Sequence, residues 1–206
     1  MRSPPLIHVV DDDEPVRTAL LRLLSASGFE AQGYGSAAAF LMTSPPDRPG
    51  CVLLDLRMPG PSGLDLQATL RERSMTLPVI FLTGHADVAS SVRAMKTGAV
   101  DFLTKPIDSE TLFEAIRRAL TLDASERASR VEATRMRAHF ASLTPREREV
   151  FELVVAGRLN KQIAGQLGIA ERTVKADRAQ VLAKLGVSSA AALGAFAERL
   201  RQLASG

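Results

Sequence analysis

Cys51-Val52-Leu53-Leu54-Asp55-Leu56-Arg57-Met58-Pro59-Gly60 decides how this chain is read. Residues 51–54 are short and apolar, an acid follows, and Met58-Pro59-Gly60 breaks the chain. That pattern predicts a buried strand delivering one carboxylate to the exposed rim of a sheet. A solvated acid where a strand meets its loop has the same local pattern. What separates the two is whether other segments bring partners to the same rim.

Working outward, residues 6–10 read as a buried strand ended by Asp11-Asp12-Asp13-Glu14. Pro15 suits the first turn of a helix whose positive end carries those acids, and Val16, Ala19, Leu20, Leu23 and Leu24 keep helical spacing up to Gly28. Residues 29–34 form a second strand, and Ser36 caps a helix through Met42. After the 51–54 strand, residues 63–73 are helical. Residues 78–82 form a fourth strand, 87–97 a fourth helix and 100–103 a fifth strand; Lys105-Pro106 turns the chain and Asp108 opens a fifth helix. Five strands alternating with five helices predict a parallel sheet covered on both faces, with ligands beyond the carboxyl ends of the strands.

The candidate groups fall at those ends: Asp11 and Asp12 after the first strand, Asp55 after the third, Thr83 after the fourth, Lys105 after the fifth. Converging carboxylates raise one another's proton affinity unless a cation sits among them. Oxygen-only ligands in small number suit Mg²⁺ (or Mn²⁺) rather than Zn²⁺. A carboxylate beside a divalent ion can accept a phosphoryl group, with Lys105 and the Thr83 hydroxyl binding its oxygens.

The motifs VVDDD, LLDLRMPG, FLTG and DFLTKP, in this order across residues 6–120, resemble a response-regulator receiver domain. The resemblance implies a flavodoxin-like, CheY-like doubly wound fold, with Asp55 the phosphoacceptor and Mg²⁺ held by Asp11, Asp12, Asp55 and the Arg57 backbone carbonyl. It also implies that Thr83 and Lys105 read the phosphoryl group and that Phe102 is the switch aromatic; an ordinary strand residue is the alternative for Phe102. His85, beside Thr83, either lines the site or is a loop-surface residue, and the loop-surface reading is favoured.

Composition sets the outer limits. Residues 1–122 carry 12 Lys and Arg against 14 Asp and Glu, and residues 123–206 carry 14 against 9, so a mildly acidic half precedes a basic one. No apolar run approaches the ~20 residues that span a bilayer, and Met1 to Pro5 offers no signal-peptide core; a cytoplasmic protein is expected. The single cysteine, Cys51, excludes an internal disulfide and reads as a small core residue.

Residues 123–140 contain neither Gly nor Pro and read as a helical connector, solvated alone or paired with a second chain. Beyond it, Thr144-Pro145-Arg146-Glu147 forms a capping box with Pro at the first helical position. Asn160 is expected to cap a second helix, Gly168-Ile169-Ala170 to turn, and residues 171–185 to form a third helix, with Val174, Val181, Leu182 and Leu185 inward and Arg172, Lys175 and Arg178 outward. Two helices about a Gly-containing turn, the second basic outside, make a helix-turn-helix.

LTPREREV, GRLNKQIAGQLGIAERTVK and AKLGV across 141–203 are similar to the LuxR-type (NarL/FixJ) DNA-binding domain, so the whole chain resembles a FixJ-type response regulator. The resemblance implies a four-helix C-terminal domain at 141–206, joined through a linker at 123–140 to a receiver at 1–122. It places Thr173, Lys175, Ala176 and Ala179 toward the major groove, and Arg172, Arg178, Asn160 and Lys161 toward phosphates. Two positions depart from the family: Ala170 stands where Ser or Thr is usual, removing a cap, and Asp177 stands where His is common, its direction undecided. The last helix, 188–203, shows Leu193, Phe196, Ala197 and Leu200, which either pair protomers or seal the domain's own core. The expected partners are a histidine kinase, operator DNA and a second copy through the fourth helix–fifth strand–fifth helix face (Val92, Met95, Lys96), with RNA polymerase a further partner and no membrane. The expected activity is a phosphorylation-switched transcription factor and no turnover enzyme. Two rivals stand beside it, a metal-dependent phosphatase or phosphotransferase and an adaptor whose basic domain contacts protein only.

Overall fold

The computed structural model describes residues 4–43, 47–84, 92 and 94–205. They form two compact units, residues 1–127 and 128–206, each described by itself below.

The first unit is built on β1 (Leu6–Val10), β2 (Glu30–Tyr34), β3 (Gly50–Asp55), β4 (Val79–Thr83) and β5 (Asp101–Thr104). They form one sheet in the order β2-β1-β3-β4-β5, every pair parallel. β1, β3 and β4 are buried at every position, as central strands covered on both faces must be. Alternate side chains divide between two cores. Val10, Val52, Leu54 and Phe81 pack with Phe40, Leu66 and Leu70 from α2 (Ala37–Met42) and α3 (Gly63–Glu72). Ile7, Val9, Cys51, Leu53 and Leu82 pack with Leu20 and Leu24 of α1 (Glu14–Ala26) and Leu112 and Ile116 of α5 (Ser109–Ala141). Residues 92 and 94–96 are helical (α4); the rest of the helix expected over 87–97, and His85, lie mostly or wholly outside the described residues.

The caps follow the sequence. Asp13 accepts from Val16 N at 3.1 Å and Ser36 from Ala39 N at 3.1 Å. Gly63 opens α3 where a Cβ would stand 2.4 Å from the Asp55 carbonyl oxygen, so only glycine lets that helix begin against the end of β3.

The first unit runs past residue 122, the boundary expected from sequence. Asp123, fully buried, accepts from Gly50 N at 3.1 Å and from Arg127 Nε, while Arg127 Nη2 donates to the Arg48 carbonyl at 2.7 Å. These bonds make residues 123–127 part of the unit that ends at Arg127.

The second unit contains the end of α5, then α6 (Pro145–Val155), α7 (Asn160–Leu167), α8 (Glu171–Leu185) and α9 (Ala190–Ser205). Its core joins Met136, Leu143, Val150, Phe151, Ile163, Val174, Val181 and Leu185. Leu193, Phe196 and Ala197 of α9 are buried in it and Leu200 is partly buried against it, so this part of the stripe seals its own domain. α9 starts at Ala190, two residues after the expected Ser188, because Ser189 caps it through Ala192 N. The cap of α7 also differs from expectation. It is Leu159, whose N–H donates to Gln162 Oε1 at 2.9 Å; Asn160 is the first helical residue.

Candidate functional site

Strand order reverses at β1, whose neighbours are β2 and β3, and the crevice of an open parallel sheet lies at the carboxyl ends there. Asp11 follows β1 directly and Asp55 ends β3. Both are buried, at 0% and 6% exposure. Lys105, just past β5, reaches between them: its Nζ lies 2.6 Å from Asp11 Oδ2 and 2.7 Å from Asp55 Oδ1. The Lys105 backbone is placed by its N–H donating to the Thr83 carbonyl at 2.7 Å, so the end of β4 positions the cation.

The remaining oxygens of the pair are also oriented. Asp55 Oδ2 accepts from Arg57 N at 2.8 Å, and Asp11 Oδ1 from Asp13 N at 3.0 Å. Arg17 Nη1 donates to the Asp11 carbonyl at 2.6 Å, a contact that sequence spacing did not single out. Thr83 is buried at the end of β4, and Phe102, opposite Phe81 in the β4–β5 register, is half-buried against the core.

One ammonium serves two buried carboxylates, which leaves a negative charge uncompensated. Burial pushes the Asp55 carboxyl above its ordinary range, more than the Lys105 hydrogen bond and charge lower it; the Asp11 charge adds to the rise. Burial alone would lower Lys105, yet its two carboxylate partners together hold the ammonium above its usual range. The two directions agree with a cation shared by two anions.

Of the three acids expected around a metal, the structure gathers Asp11 and Asp55; the Asp12 side chain is exposed. Among the described residues no three His, Cys, Asp or Glu side chains close into a metal-holding group. The Lys105 ammonium draws together only the two acids it touches, and Asp12 stands exposed beside them. The pair still fits a hard divalent ion: its donors are all oxygen, its charge is under-compensated, and a hexacoordinate Mg²⁺ keeps several waters.

In the second unit, Arg172, Thr173, Lys175, Ala176 and Ala179 form the exposed side of α8, opposite Val174, Val181 and Leu185, and Lys161 is exposed on α7. Arg178 and Asn160, both expected on phosphates, are half-buried and bonded to each other: Arg178 Nη1 donates to Asn160 Oδ1 at 3.1 Å. Asp177 turns off the outer face and pairs with Arg146 of α6, Oδ2 to Nε 3.7 Å. Ala170 is the N-cap of α8 without a side-chain bond. Lys184 Nζ donates to Glu147 Oε2 at 2.6 Å; that bond, followed by the Thr144 N–H, holds the Glu147 carboxyl below its usual range. These cross-helix pairs join residues far apart in sequence and carry no periodic signal.

Residues 7–117 match the family model described as response regulator receiver domain, and residues 141–197 that described as bacterial regulatory proteins, luxR family. The chain is 41% identical to nodulation protein W of Bradyrhizobium diazoefficiens over 195 residues, covering 95% of this chain and 86% of the relative. It is 44% identical to the transcriptional regulatory protein FixJ of Rhizobium meliloti over 183 residues, 89% and 90% of the two chains. Among solved structures, that of the response regulator StyR aligns with a TM-score of 0.86 at 44% identity, covering 96% of this chain and all of that one. Full-length FixJ from B. japonicum aligns at 0.59 and 38%, covering 96% and 98%. Receiver domains generally bind Mg²⁺ at their phosphorylation site, take their phosphoryl group from a histidine kinase, and here precede a DNA-binding domain. The chain therefore belongs to the response regulators of two-component systems, as a receiver joined to a LuxR-type helix-turn-helix: a phosphorylation-dependent transcriptional regulator, and no turnover enzyme on external substrates.

Proposed function

We propose that Asp55 is the phosphoacceptor and that its modification controls DNA binding by α8. The observation that carries this is the buried Asp11–Lys105–Asp55 cluster at the crevice of the sheet. A carboxylate oxygen of Asp55 attacks the phosphorus of a phosphohistidine. The P–N bond breaks with its electron pair on the imidazole, which leaves neutral because its second nitrogen holds a proton, and an acyl phosphate remains.

Mg²⁺ held by Asp11, Asp12, Asp55 and the Arg57 carbonyl would neutralise the anionic charge of the transfer. Lys105 exchanges one of its two carboxylates for a phosphoryl oxygen, and the Thr83 hydroxyl donates to another. Phe102 follows Thr83 inward, which remodels the face of α4, β5 and α5 on which Val92, Met95 and Lys96 are exposed. That face pairs two copies, and RNA polymerase is a later partner.

On DNA, α8 enters the major groove with Lys175 nearest the bases beside Thr173, Ala176 and Ala179. Arg172, Arg178, Asn160 and Lys161 take backbone phosphates. Receiver function is assigned to residues 1–122, the connector to 123–140, whose residues 123–127 belong structurally to the first unit, and DNA binding to 141–206, in a cytoplasmic protein. Among the described residues no single helix is long and apolar enough to cross a membrane.

The test is beryllofluoride with Mg²⁺ on wild type and Asp55→Asn. Wild type should dimerise and bind its operator on the order of tenfold more tightly, read by sedimentation and mobility shift, and the variant should do neither. An Asp55→Asn protein that binds as well as activated wild type would sink phosphate control through this residue.

A further inference from the structure

Two polar contacts flank the buried stripe of α8. On one flank Arg178 bonds to Asn160 of α7 at 3.1 Å. On the other, Asp177 Oδ2 lies 3.7 Å from Arg146 Nε of α6. The first is a hydrogen bond; the second is too long for one and acts by charge alone. Arg146 Nη2 and Asp177 Oδ2 are each buried without a hydrogen-bond partner among the described residues. Nη1 is engaged, donating to the exposed Glu149 at 3.0 Å. The guanidinium thus carries an unused donor, and a buried charged donor without an acceptor is costly.

The location matters. Asp177 lies one helical turn after Thr173, so Arg146 borders the N-terminal half of α8, the part of a recognition helix that meets DNA. A phosphate there offers what Asp177 does not, oxygens that accept from two guanidinium nitrogens at once.

We propose that Arg146 is a backbone-phosphate ligand and that Asp177 is its intramolecular competitor. On binding, the guanidinium exchanges Asp177 for a phosphate oxygen and the Nη2 donor is satisfied; in the free protein Asp177 holds affinity down. This rests on the assignment of α8 as the helix that enters the groove.

The experiment uses the full-length chain activated with beryllofluoride and Mg²⁺, and a random-sequence DNA duplex, because a phosphate contact is independent of sequence. Asp177→Asn should bind about two- to fivefold more tightly, with the logarithmic salt slope steeper by about one. Arg146→Gln should bind more weakly with a slope shallower by about one. In the Arg146→Gln background Asp177→Asn should gain nothing. A gain of equal size there, or an Arg146→Gln protein unchanged in affinity and slope, overturns the exchange. If melting by circular dichroism shows Arg146→Gln misfolded, Arg146→Met, which keeps the stem, repeats the measurement. Lys175→Ala separates the two levels. Intact binding in that variant removes the groove assignment and this proposal with it, whereas lost binding beside a flat Arg146–Asp177 cycle removes the exchange alone.

Discussion

The Lys105 ammonium, 2.6 and 2.7 Å from two buried carboxylates, shows how one residue can set the charge of a site. Its separation from Asp11 by 94 positions and from Asp55 by 50 is closed only by strand order. His8 makes the opposite case within β1. It is buried, shares a hydrogen bond with the Tyr34 hydroxyl at 3.1 Å, and stacks edge-on with Phe40 at 5.3 Å. Burial, followed by the nearby Arg48 charge, lowers it from 6.5 to about 4. The fold favours the neutral ring, so its contribution is complete above pH 6.5 and is lost as pH falls through 4. Acid should therefore destabilise the first unit by up to about 3 kcal/mol over that window. Urea unfolding of wild type and His8→Phe at a series of pH values checks this; a variant with the same loss between pH 6.5 and 4 assigns it elsewhere.

At the scale of elements, capping chemistry reads directly from sequence where both partners are local. Thr144 with Glu147 closes a capping box on α6 with bonds of 3.2 and 2.7 Å, and Ser62 with Asp65 does the same for α3. α8 lacks this device, since Ala170 offers no acceptor to its first turn. Its cap geometry is nevertheless extended (φ −69°, ψ 144°), the conformation in which a Ser side chain reaches the N2 or N3 amide. Ala170→Ser should stabilise the second unit by about 1 kcal/mol in thermal or urea melts. An unchanged melt would mean that packing of Val174 and Val181 already holds the first turn. The cap of α7 falls one residue before the expected Asn160, a good cap type whose side chain instead accepts from Arg178 of another helix. Gly168, at φ 66°, supplies the left-handed residue that stops α7 and starts the turn, as its place in the sequence foretells.

At the scale of the molecule, two units carry separate cores. The chain has one tyrosine and no tryptophan, and Tyr34 is buried in the first unit. Tyrosine fluorescence therefore follows that unit alone, whereas far-ultraviolet circular dichroism follows both. Asp123→Ala removes the acceptor of Gly50 N and the partner of a mostly buried Arg127. It should cost the first unit about 2–3 kcal/mol, lowering the urea midpoint of the fluorescence transition. The dichroism change belonging to the second unit should stay in place. Equal shifts in both signals would mean that the units unfold as one.

The sequence by itself determined the alternation of strands and helices, the parallel sheet, the helix-turn-helix, most caps and the acids at the strand ends. Each of these is written in local periodicity, in turn residues or in neighbours three or four positions apart. Only the tertiary structure decided which ends meet: Asp11 and Asp55 share Lys105 while Asp12 faces solvent. It alone carried the first unit through Arg127, turned Asp177 toward Arg146, and committed Leu193 and Phe196 to the domain core. The physical reason is the same in each case. A side chain's charge and reach are properties of its residue, but its partner is set by chain topology, which brings together groups tens of positions apart.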